Sequence, residues 1–438
     1  MTMEIPIYDK GITRSHGQPR HGRVSPGDIA VGVVIGRTCE FFDFFVYAIA
    51  SVVVFPQYVF PFVDSLTGTL FSFALFAVAF VARPVGSALF MALDRAHGRV
   101  AKLTLALLVL GSSTVGIAFL PSYAMAGGVS ILALALLRIG QGVALGGSWD
   151  GLASLLSLSA PRARRGWYAM VPQLGAPLGL IVASALFAYL MAELSPADFY
   201  AWGWRFPFFV AFALNVVALF ARLRIVDTDA FRDLFERREL QPRPVVETVR
   251  REGRFIVVGA FAPLASFALF HMVTVFPLSW IHLVSGRDTA RFLTVEAAAA
   301  LVGLATIIAS GWIADRIGRR RLLGLSAVGI ALFSALAPGL LDLSGAGDII
   351  FMVVGFALLG LTFGQCAGAV ASRFSPAYRY TGAALTSDLA RLFGAGFAPF
   401  AALYLASAFG IAMAGLYLLS GALCTLIALA LNRRLAET

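Results

Sequence analysis

The chain has 438 residues, of which 59% are hydrophobic and 13% are charged, and its formal net charge is +10. Soluble domains carry about 25% charged residues, so this composition, with a mean hydropathy of +0.84, excludes a soluble globular protein and favours one that crosses a membrane many times. The three cysteines and five histidines show no regular spacing, so the sequence predicts neither a disulfide framework nor a metal site.

The N-terminal 27 residues are polar and basic, and they lack the short apolar core that precedes a signal-peptide cleavage site. We therefore expect residues 1–27 to form a cytoplasmic tail before an uncleaved first span. Twelve apolar stretches follow, each close to the roughly 20 residues that a helix needs to cross a membrane. They cover about residues 29–55, 66–92, 103–120, 127–158, 166–192, 204–222, 255–283, 292–314, 321–341, 347–371, 380–405 and 408–431.

The longest polar stretch between spans, residues 223–254, divides the chain into two halves of six spans. The halves look related, because GWIADRIGRR after span eight matches MALDRAHGRV after span two, 220 residues earlier. We therefore expect an all-α membrane protein with twelve transmembrane helices in two six-helix, pseudo-symmetric bundles. These bundles, residues 28–222 and 255–438, are joined by a cytoplasmic interdomain loop, and paired repeats of this kind hold a binding site near the midplane between them.

The distribution of basic residues predicts the orientation in the membrane. With the N-terminus inside, 27 of the 34 Lys and Arg residues fall in the termini and the inner loops, whereas Arg287 and Arg291 alone fall in the outer loops. This bias follows the positive-inside rule, and it accounts for the net charge without a nucleic-acid partner. We expect a multi-pass, monomeric protein of a bacterial-type cytoplasmic (inner) membrane, embedded in the lipid bilayer with both termini cytoplasmic.

The first span carries three charges within GRTCEFFDFFVY, residues 36–47. An ionised Arg or Asp at the centre of a membrane helix costs roughly 2.5–3.5 kcal/mol on insertion scales, so such groups are expected to serve a function. On a helix, Glu40, Asp43 and Tyr47 fall within about 60° of one another, with Arg37 at the edge of the same face. We therefore predict a polar stripe that faces a central cavity.

Arg138 in the fourth span is the expected partner of Asp43. At 1.5 Å per residue, the two side chains reach roughly the same depth from opposite ends of their helices. We expect Asp43 to pair with Arg138 when ionised and to release it for an anionic substrate when protonated, with Glu40 sharing the proton-coupling role. The alternative is a static buried ion pair that fixes the packing of the helices.

Other polar residues inside spans are candidate cavity groups. Asp388 and Arg391 lie three residues apart in span eleven, where they either line the cavity or form a local intrahelical pair. Gln141, Gln173, Gln365 and His271 are further candidates, and a role in helix packing is the alternative for each of them. Together with the first-span residues, the predicted substrate-binding set is Arg37, Tyr47, Arg138, Gln141, Gln173, His271, Gln365, Asp388 and Arg391.

The motif GWIADRIGRR places a carboxylate at the inner end of span eight between two glycines, residues that allow close helix approach. There Asp315 can receive the N-terminus of a neighbouring helix or an arginine. The motif resembles the loop motif of the major facilitator superfamily, and Asp94 and Arg99 lie in a displaced copy after span two. A gating role is expected for Arg83, Asp94, Arg99, Asp315, Arg316 and Arg319.

Further stretches along nearly the whole chain resemble the metabolite:proton symporter branch of that superfamily: EFFDFFVY, ARPVGSALF, RIGQGVALGGSWDG, APRARRGWY, WGWRFPFF and SPAYRYTG. Members of the branch carry citrate, 2-oxoglutarate, shikimate, aromatic acids, and proline or betaine. The sequence departs from the branch at Ser148, where Glu is usual. Asp150 is two residues on and points about 200° away on a helix, so it does not simply replace that Glu.

The resemblance implies the major facilitator fold and uptake of a small molecule by proton-coupled symport. The arginines within spans favour a small organic anion as cargo. The alternatives are a proton-coupled exporter, an importer of a zwitterion such as betaine or proline, and a membrane receptor on the same fold. No nucleophile motif, metal cluster or nucleotide-binding loop favours an enzyme, and the proton gradient replaces any cofactor as the expected energy source.

Overall fold

The computed structural model describes residues 26–148, 161–226, 241–343, 345–371, 374–375 and 377–431. Within these ranges the chain forms helices and no strand, which confirms the all-α fold. Twelve helices of membrane-crossing length lie in the described ranges, once the continuous stretch Ser65–Ala118 is divided at Gly98. They are α1 Pro26–Val53, α2 65–97, α3 99–118, α4 Gly128–Gly147, α5 Arg165–Glu193, α6 Phe206–Val226, α7 245–285, α8 Thr289–Ile317, α9 Arg319–Asp342, α10 Ala346–Ala371, α11 Arg379–Phe409 and α12 Ala412–Leu431.

The repeated loop motif breaks the chain at the same point in both halves. Gly98 separates α2 from α3 with φ 82° and ψ 170°, and Gly318 separates α8 from α9 with φ 87° and ψ 141°. Residues with a side chain rarely adopt positive φ, so the glycine of the motif sets the position of each turn. The end of the bundle that carries these two loops and residues 162–165 is called the basic end below, and the opposite end is called the far end.

Two helices change their helical geometry beside the centre of the bundle. A 3₁₀ turn, Val171–Leu174, interrupts α5, and a π turn, Leu392–Gly396, interrupts α11 just after Arg391. Non-α turns within long helices often mark functional sites.

The seventh helix begins at Val245, ten residues before the expected span. Its first part, Val245–Phe261, is amphipathic and contacts the chain just before α11, where Ser375 donates to Glu252 at 2.9 Å.

Small residues bring α2 and α4 into backbone contact. A Cβ atom added at Gly142 would meet the Ala79 carbonyl, and one added at Gly146 would meet the Arg83 carbonyl. Helices in a membrane associate through this kind of close packing, since lipid provides no hydrophobic drive between them. The contact sets Arg138, one turn before Gly142, against the carbonyl groups of α2.

We expect Gly146→Ala to lower the apparent melting temperature in detergent by several degrees. The new methyl group must displace backbone of α2, and overpacking of this kind costs roughly 1–3 kcal/mol. Gly324→Ala in α9 is the matched control, because a Cβ there meets nothing within 4 Å. Equal melting temperatures for the two variants would show that α2 and α4 do not approach as described.

Candidate functional site

A pocket lies between the two halves, lined by side chains of α1, α2 and α4 on one side and of α7, α10 and α11 on the other. Its volume of about 70 Å³ leaves room for a few water molecules. The wall combines charged groups with a large apolar surface. The charged residues are Glu40, Asp43, Arg83, Arg138 and Arg391, and the phenylalanines are Phe41, Phe44, Phe80, Phe267, Phe270 and Phe363.

Asp43 is connected to Arg138 by a chain of three hydrogen bonds. Thr114 Oγ1 of α3 donates to Asp43 Oδ1 at 2.8 Å, and Gln141 Nε2 donates to Thr114 Oγ1 at 2.9 Å. Arg138 Nη1 then donates to Gln141 Oε1 at 2.7 Å. All four residues are buried, so the carboxyl group at one end and the guanidinium at the other are coupled through two neutral side chains.

Asp43 and Arg138 do not form the direct ion pair that the sequence predicts. Arg138 Nη2 instead donates to the Phe76 carbonyl at 2.8 Å, and its guanidinium lies 3.8 Å from the centre of the Tyr47 ring. Asp43 lies ten residues before the far end of α1 and Arg138 ten residues after the start of α4, so both are about 15 Å in from that end. Depth does not fix the direction in which a side chain points, and the close packing of α2 on α4 supplied nearer acceptors for the arginine.

Glu40 lies between two arginines at the side of the pocket nearer the basic end. Its Oε2 atom is 2.8 Å from Arg37 Nη1 and 3.3 Å from Arg222 Nη2. Arg222, at the end of the sixth predicted span, also donates to the Ser148 carbonyl at 2.9 Å. Gly36 leaves the space for its side chain, since a Cβ there would lie 3.2 Å from Arg222 Nε. Ser148 therefore contributes its backbone to this cluster, and Asp150 lies outside the described residues.

Asp388 pairs across the two halves and not with Arg391. Arg83 Nε of α2 lies 2.8 Å from Asp388 Oδ1, and the Ser87 hydroxyl donates to Asp388 Oδ2. Of the two alternatives for Asp388, the local pair is not formed, because α2 packs against this part of α11 and offers Asp388 two donors at once. Arg83 thus lies at a contact between the halves, at the floor of the pocket toward the basic end.

Arg391 is the one arginine of the pocket, among those described, that has a buried guanidinium nitrogen without a hydrogen-bond partner. This atom is Nη1. A buried donor left unsatisfied costs roughly 1–3 kcal/mol, and more when it is charged. The side chain faces the pocket, so an anionic group placed there would supply the missing acceptor.

The remaining predicted cavity residues divide into two groups. Gln141 and His271 line the pocket, and the His271 ring packs against Phe44, Phe76 and Phe270 with centroid distances of 5.9, 6.0 and 5.3 Å. Four others do not line the pocket; among them, Arg37 pairs with Glu40 of its own helix, whereas Tyr47 and Gln365 contact residues of other helices. Those four are Arg37, Tyr47, Gln173 and Gln365.

At the basic end Asp315 contacts the N-terminus of a neighbouring helix, one of the two partners that its motif predicts. Its two carboxylate oxygens accept from the backbone N–H groups of Gly166, at 2.6 Å, and of Trp167, at 3.1 Å. These N–H groups lie in the first turn of α5, where the helix has free donors and a partial positive charge. Gln365 lies at the same contact, where its Nε2 donates to the Gly166 carbonyl at 3.1 Å, so it belongs to the closure of this end and not to the pocket.

The same end holds a second contact between the halves, built from the displaced copy of the motif. Arg99 Nε lies 2.9 Å from Asp94 Oδ2, and Lys102 Nζ lies 3.6 Å from the same atom. Lys102 also donates to the Tyr380 hydroxyl of α11 at 2.7 Å. In the other copy, Arg319 Nη2 reaches the Arg165 carbonyl at 3.5 Å. Arg316 stacks on the ring of Trp312, which belongs to the same helix.

Sequence reasoning missed four residues of these clusters: Ser87, Lys102, Thr114 and Arg222. Ser87 and Thr114 gave no signal, because hydroxyl residues within spans commonly bond their own helix. The two basic residues lie at span ends and were counted with the loops. Glu296 of α8 was also passed over, although an acid inside an apolar span is a signal in itself.

Comparisons with known proteins agree with this architecture. The model of the Major Facilitator Superfamily matches residues 33–399. The chain is 36% identical over 431 residues to the inner membrane metabolite transport protein YhjE of Escherichia coli (strain K12), with 96% of this chain and 97% of that protein covered. It is 30% identical over 405 residues to the shikimate transporter of the same strain, covering 90% and 91%.

Solved structures share the fold. The proton:xylose symporter XylE bound to 6-bromo-6-deoxy-D-glucose superimposes with a TM-score of 0.70 at 17% identity, over 93% of this chain and 95% of that one. The inward-open structure of XylE from E. coli gives a TM-score of 0.67 at 17% identity, over 92% and 96%. At this identity the likeness concerns the arrangement of helices.

We expect Asp315→Asn to shift the equilibrium toward separation of the halves at the basic end, because a neutral amide can satisfy only one of the two N–H donors of α5. Electron–electron distance measurements between spin labels at the exposed positions 163 and 317 should show a larger population of long distances. The labels require a background without Cys39, Cys366 and Cys424.

Asp342→Asn is the control for this measurement, since Asp342 is exposed at the far end of α9. Its distance distribution should match that of the unmodified chain. The same distribution for Asp315→Asn would remove Asp315 from the closure of the basic end.

Proposed function

Since the chain belongs to the major facilitator superfamily and is a multi-pass membrane transporter rather than an enzyme, we propose that it is a secondary active transporter that takes up a small organic anion together with protons. It lies in the bacterial inner membrane with both termini cytoplasmic, so that the basic end faces the cytoplasm. The observation that carries the proposal is Arg391, whose buried Nη1 lacks an acceptor beside an otherwise largely apolar pocket.

The cargo is a carboxylate with a compact apolar body. Arg83 and Arg138 line the same pocket, but Asp388, Gln141 and the Phe76 carbonyl accept their hydrogen bonds. Arg391 is therefore the cation best able to receive a carboxylate, which a guanidinium binds through two parallel hydrogen bonds. Phenylalanine faces from both halves, among them Phe41 and Phe270 with centroids 6.0 Å apart, cover the carbon skeleton.

Protons are coupled to the cargo through Asp43. In the hydrogen-bond chain from Arg138 to Asp43, each group donates toward the ionised carboxylate. When Asp43 takes up a proton on Oδ1, that oxygen becomes a donor to Thr114, so the Thr114 hydroxyl turns to donate to Gln141. The Gln141 amide must then reverse and present its NH₂ to Arg138, which has donors only. Arg138 loses that acceptor, and the protonated state favours an anion in the pocket.

A zwitterion such as a betaine is the second candidate cargo. The faces of Phe41, Phe44, Phe270 and Phe363 line one pocket, and aromatic faces bind quaternary ammonium groups. In this case Arg391 would hold the carboxylate of the zwitterion and the rings its cationic end.

The first test of the proposal is a thermal-shift panel on the purified protein with benzoate, shikimate, 2-oxoglutarate, citrate, proline and glycine betaine. A ligand raises the melting temperature by mass action, and we expect one or more of the carboxylates to do so. Arg391→Lys keeps the charge but loses the planar fork, so the affinity should fall about 10- to 150-fold, the equivalent of about 1.5–3 kcal/mol.

Arg291→Lys, at an exposed position near the far end of α8, is the matched control and should bind as the unmodified chain does. Stabilisation by glycine betaine alone would favour the second candidate. Unaltered carboxylate affinity in Arg391→Lys would contradict the assignment of Arg391.

The second test concerns coupling. In proteoliposomes, Asp43→Asn should abolish accumulation of the bound carboxylate driven by a pH gradient while allowing exchange of labelled for unlabelled cargo, because the amide cannot release a proton. Asp342→Asn should accumulate cargo normally. Full accumulation by Asp43→Asn would exclude Asp43 as the coupling residue.

A further inference from the structure

Glu296 is a buried acid that the transport cycle described above does not use. It lies in α8, seven residues after Thr289, and its side chain is 0% exposed. Its Oε2 atom accepts one hydrogen bond, from Ser184 Oγ of α5 at 3.0 Å. Its Oε1 atom is buried and has no hydrogen-bond partner among the described residues.

The position of Glu296 is at a contact between the two halves. Ser184 belongs to the first half and Glu296 to the second, and helices α5 and α8 run alongside each other from the Asp315 contact at the basic end. At 1.5 Å per residue, Glu296 lies about 10 Å in from the far end, closer to it than Asp43, which lies about 15 Å in. Opening of the far end has to separate Glu296 from Ser184 and admit water to both.

No cation balances a charge on Glu296 among the described groups that face it. On α7, His282 contacts Thr289 through Nδ1 at 3.0 Å, and His271 lies among the pocket aromatics. Asp348 of α10 pairs with Arg287. The other titratable side chains toward this end of α5, α8 and α9 are at least partly exposed at the far end, and they are Tyr189, Glu193, Arg291 and Asp342.

Burying an ionised carboxylate costs much free energy when it has a single hydrogen-bond donor and no cation beside it. The neutral acid in the dry interior, or the carboxylate in contact with water, avoids this cost. The two conformations of the far end therefore differ in the state of Glu296 that they accommodate. When the far end is closed, the dry contact with Ser184 favours the neutral acid. When it is open, water can solvate the ionised form.

We propose that Glu296 is a proton-dependent latch of the far end, protonated when the halves are closed there and ionised when they part. On opening, the Glu296 O–H bond breaks and water of the outer medium receives the proton. The far end closes again only after the carboxylate has taken a proton back from that medium. Proton release and uptake occur on the same side, so Glu296 adds no transported proton and makes closure depend on the outer pH. This inference rests on the proposed function for its statement that the far end faces outward.

The test is the width of the far end as a function of pH, measured in nanodiscs across about pH 5 to 8. Spin labels at the exposed positions 192 of α5 and 291 of α8 report the separation of the two helices, in a background without the three native cysteines. An Asp43→Asn background removes the titration of the proposed coupling residue. With Glu296 intact, we expect the long-distance population to grow as the pH rises.

Three variants distinguish a latch from a merely structural acid. Glu296→Gln, which has nearly the same shape as the neutral acid, should keep the far end closed and lose the pH response entirely. Glu296→Asp retains a titratable carboxyl group and should retain the response. Ser184→Ala keeps the acid but removes its donor, and it should move the midpoint of the response by about one pH unit.

A pH response in Glu296→Gln equal to that of the unmodified residue would overturn the latch, as would the absence of any response when Glu296 is present. If Glu296→Gln does not fold, an unmoved midpoint in Ser184→Ala would overturn it instead. These distances are measured without cargo and without Asp43. Failure of the latch is therefore separate from failure of proton-driven accumulation, which the Asp43→Asn vesicles report.

Discussion

Charged groups inside the bundle have to find their partners within the protein, because the hydrocarbon around it offers no hydrogen bonds. This constraint determines which helices are neighbours. Asp388 holds α11 to α2 through Arg83 and Ser87, and Glu40 holds α1 to α6 through Arg222. Arg391 and Glu296 are among the described groups that keep a buried atom without a hydrogen-bond partner, and they are the two to which we assign a ligand and a proton.

The contacts between the halves differ in kind along the length of the bundle. At the basic end they are polar and directional, from the Asp315 carboxylate to the start of α5 and from Lys102 to Tyr380. Around the pocket they are mostly aromatic, with Phe44 and Phe270 at a centroid distance of 5.8 Å. Ring contacts tolerate small displacements, whereas a hydrogen bond to a charged group is either made or broken. Such an arrangement gives a few discrete conformations with a deformable centre, which suits alternating access.

Sequence patterns predicted features that depend on one helix at a time. The spans followed from runs of apolar residues, and the carboxylate at the start of a neighbouring helix followed from the glycine-flanked Asp315. The pairing of side chains on different helices was harder to predict from the sequence. Asp43 and Arg138 were expected to touch, and Asp388 was expected to have either a local partner or a cavity position. In the structure, Thr114 and Gln141 lie between Asp43 and Arg138. Asp388 pairs with Arg83 of another helix.

The sequence by itself determined the class of the protein, the number of its spans and the level of each polar side chain along its helix, because hydropathy and a rise of 1.5 Å per residue are local properties. The tertiary structure decided which residues face the pocket. Gln365 and Tyr47 face other helices, whereas Arg391 faces the pocket with an unsatisfied nitrogen. The rotation of a helix about its axis is set by packing against its neighbours, as when glycines bring α4 onto α2. The pattern of residues along the chain does not specify which helices will be neighbours.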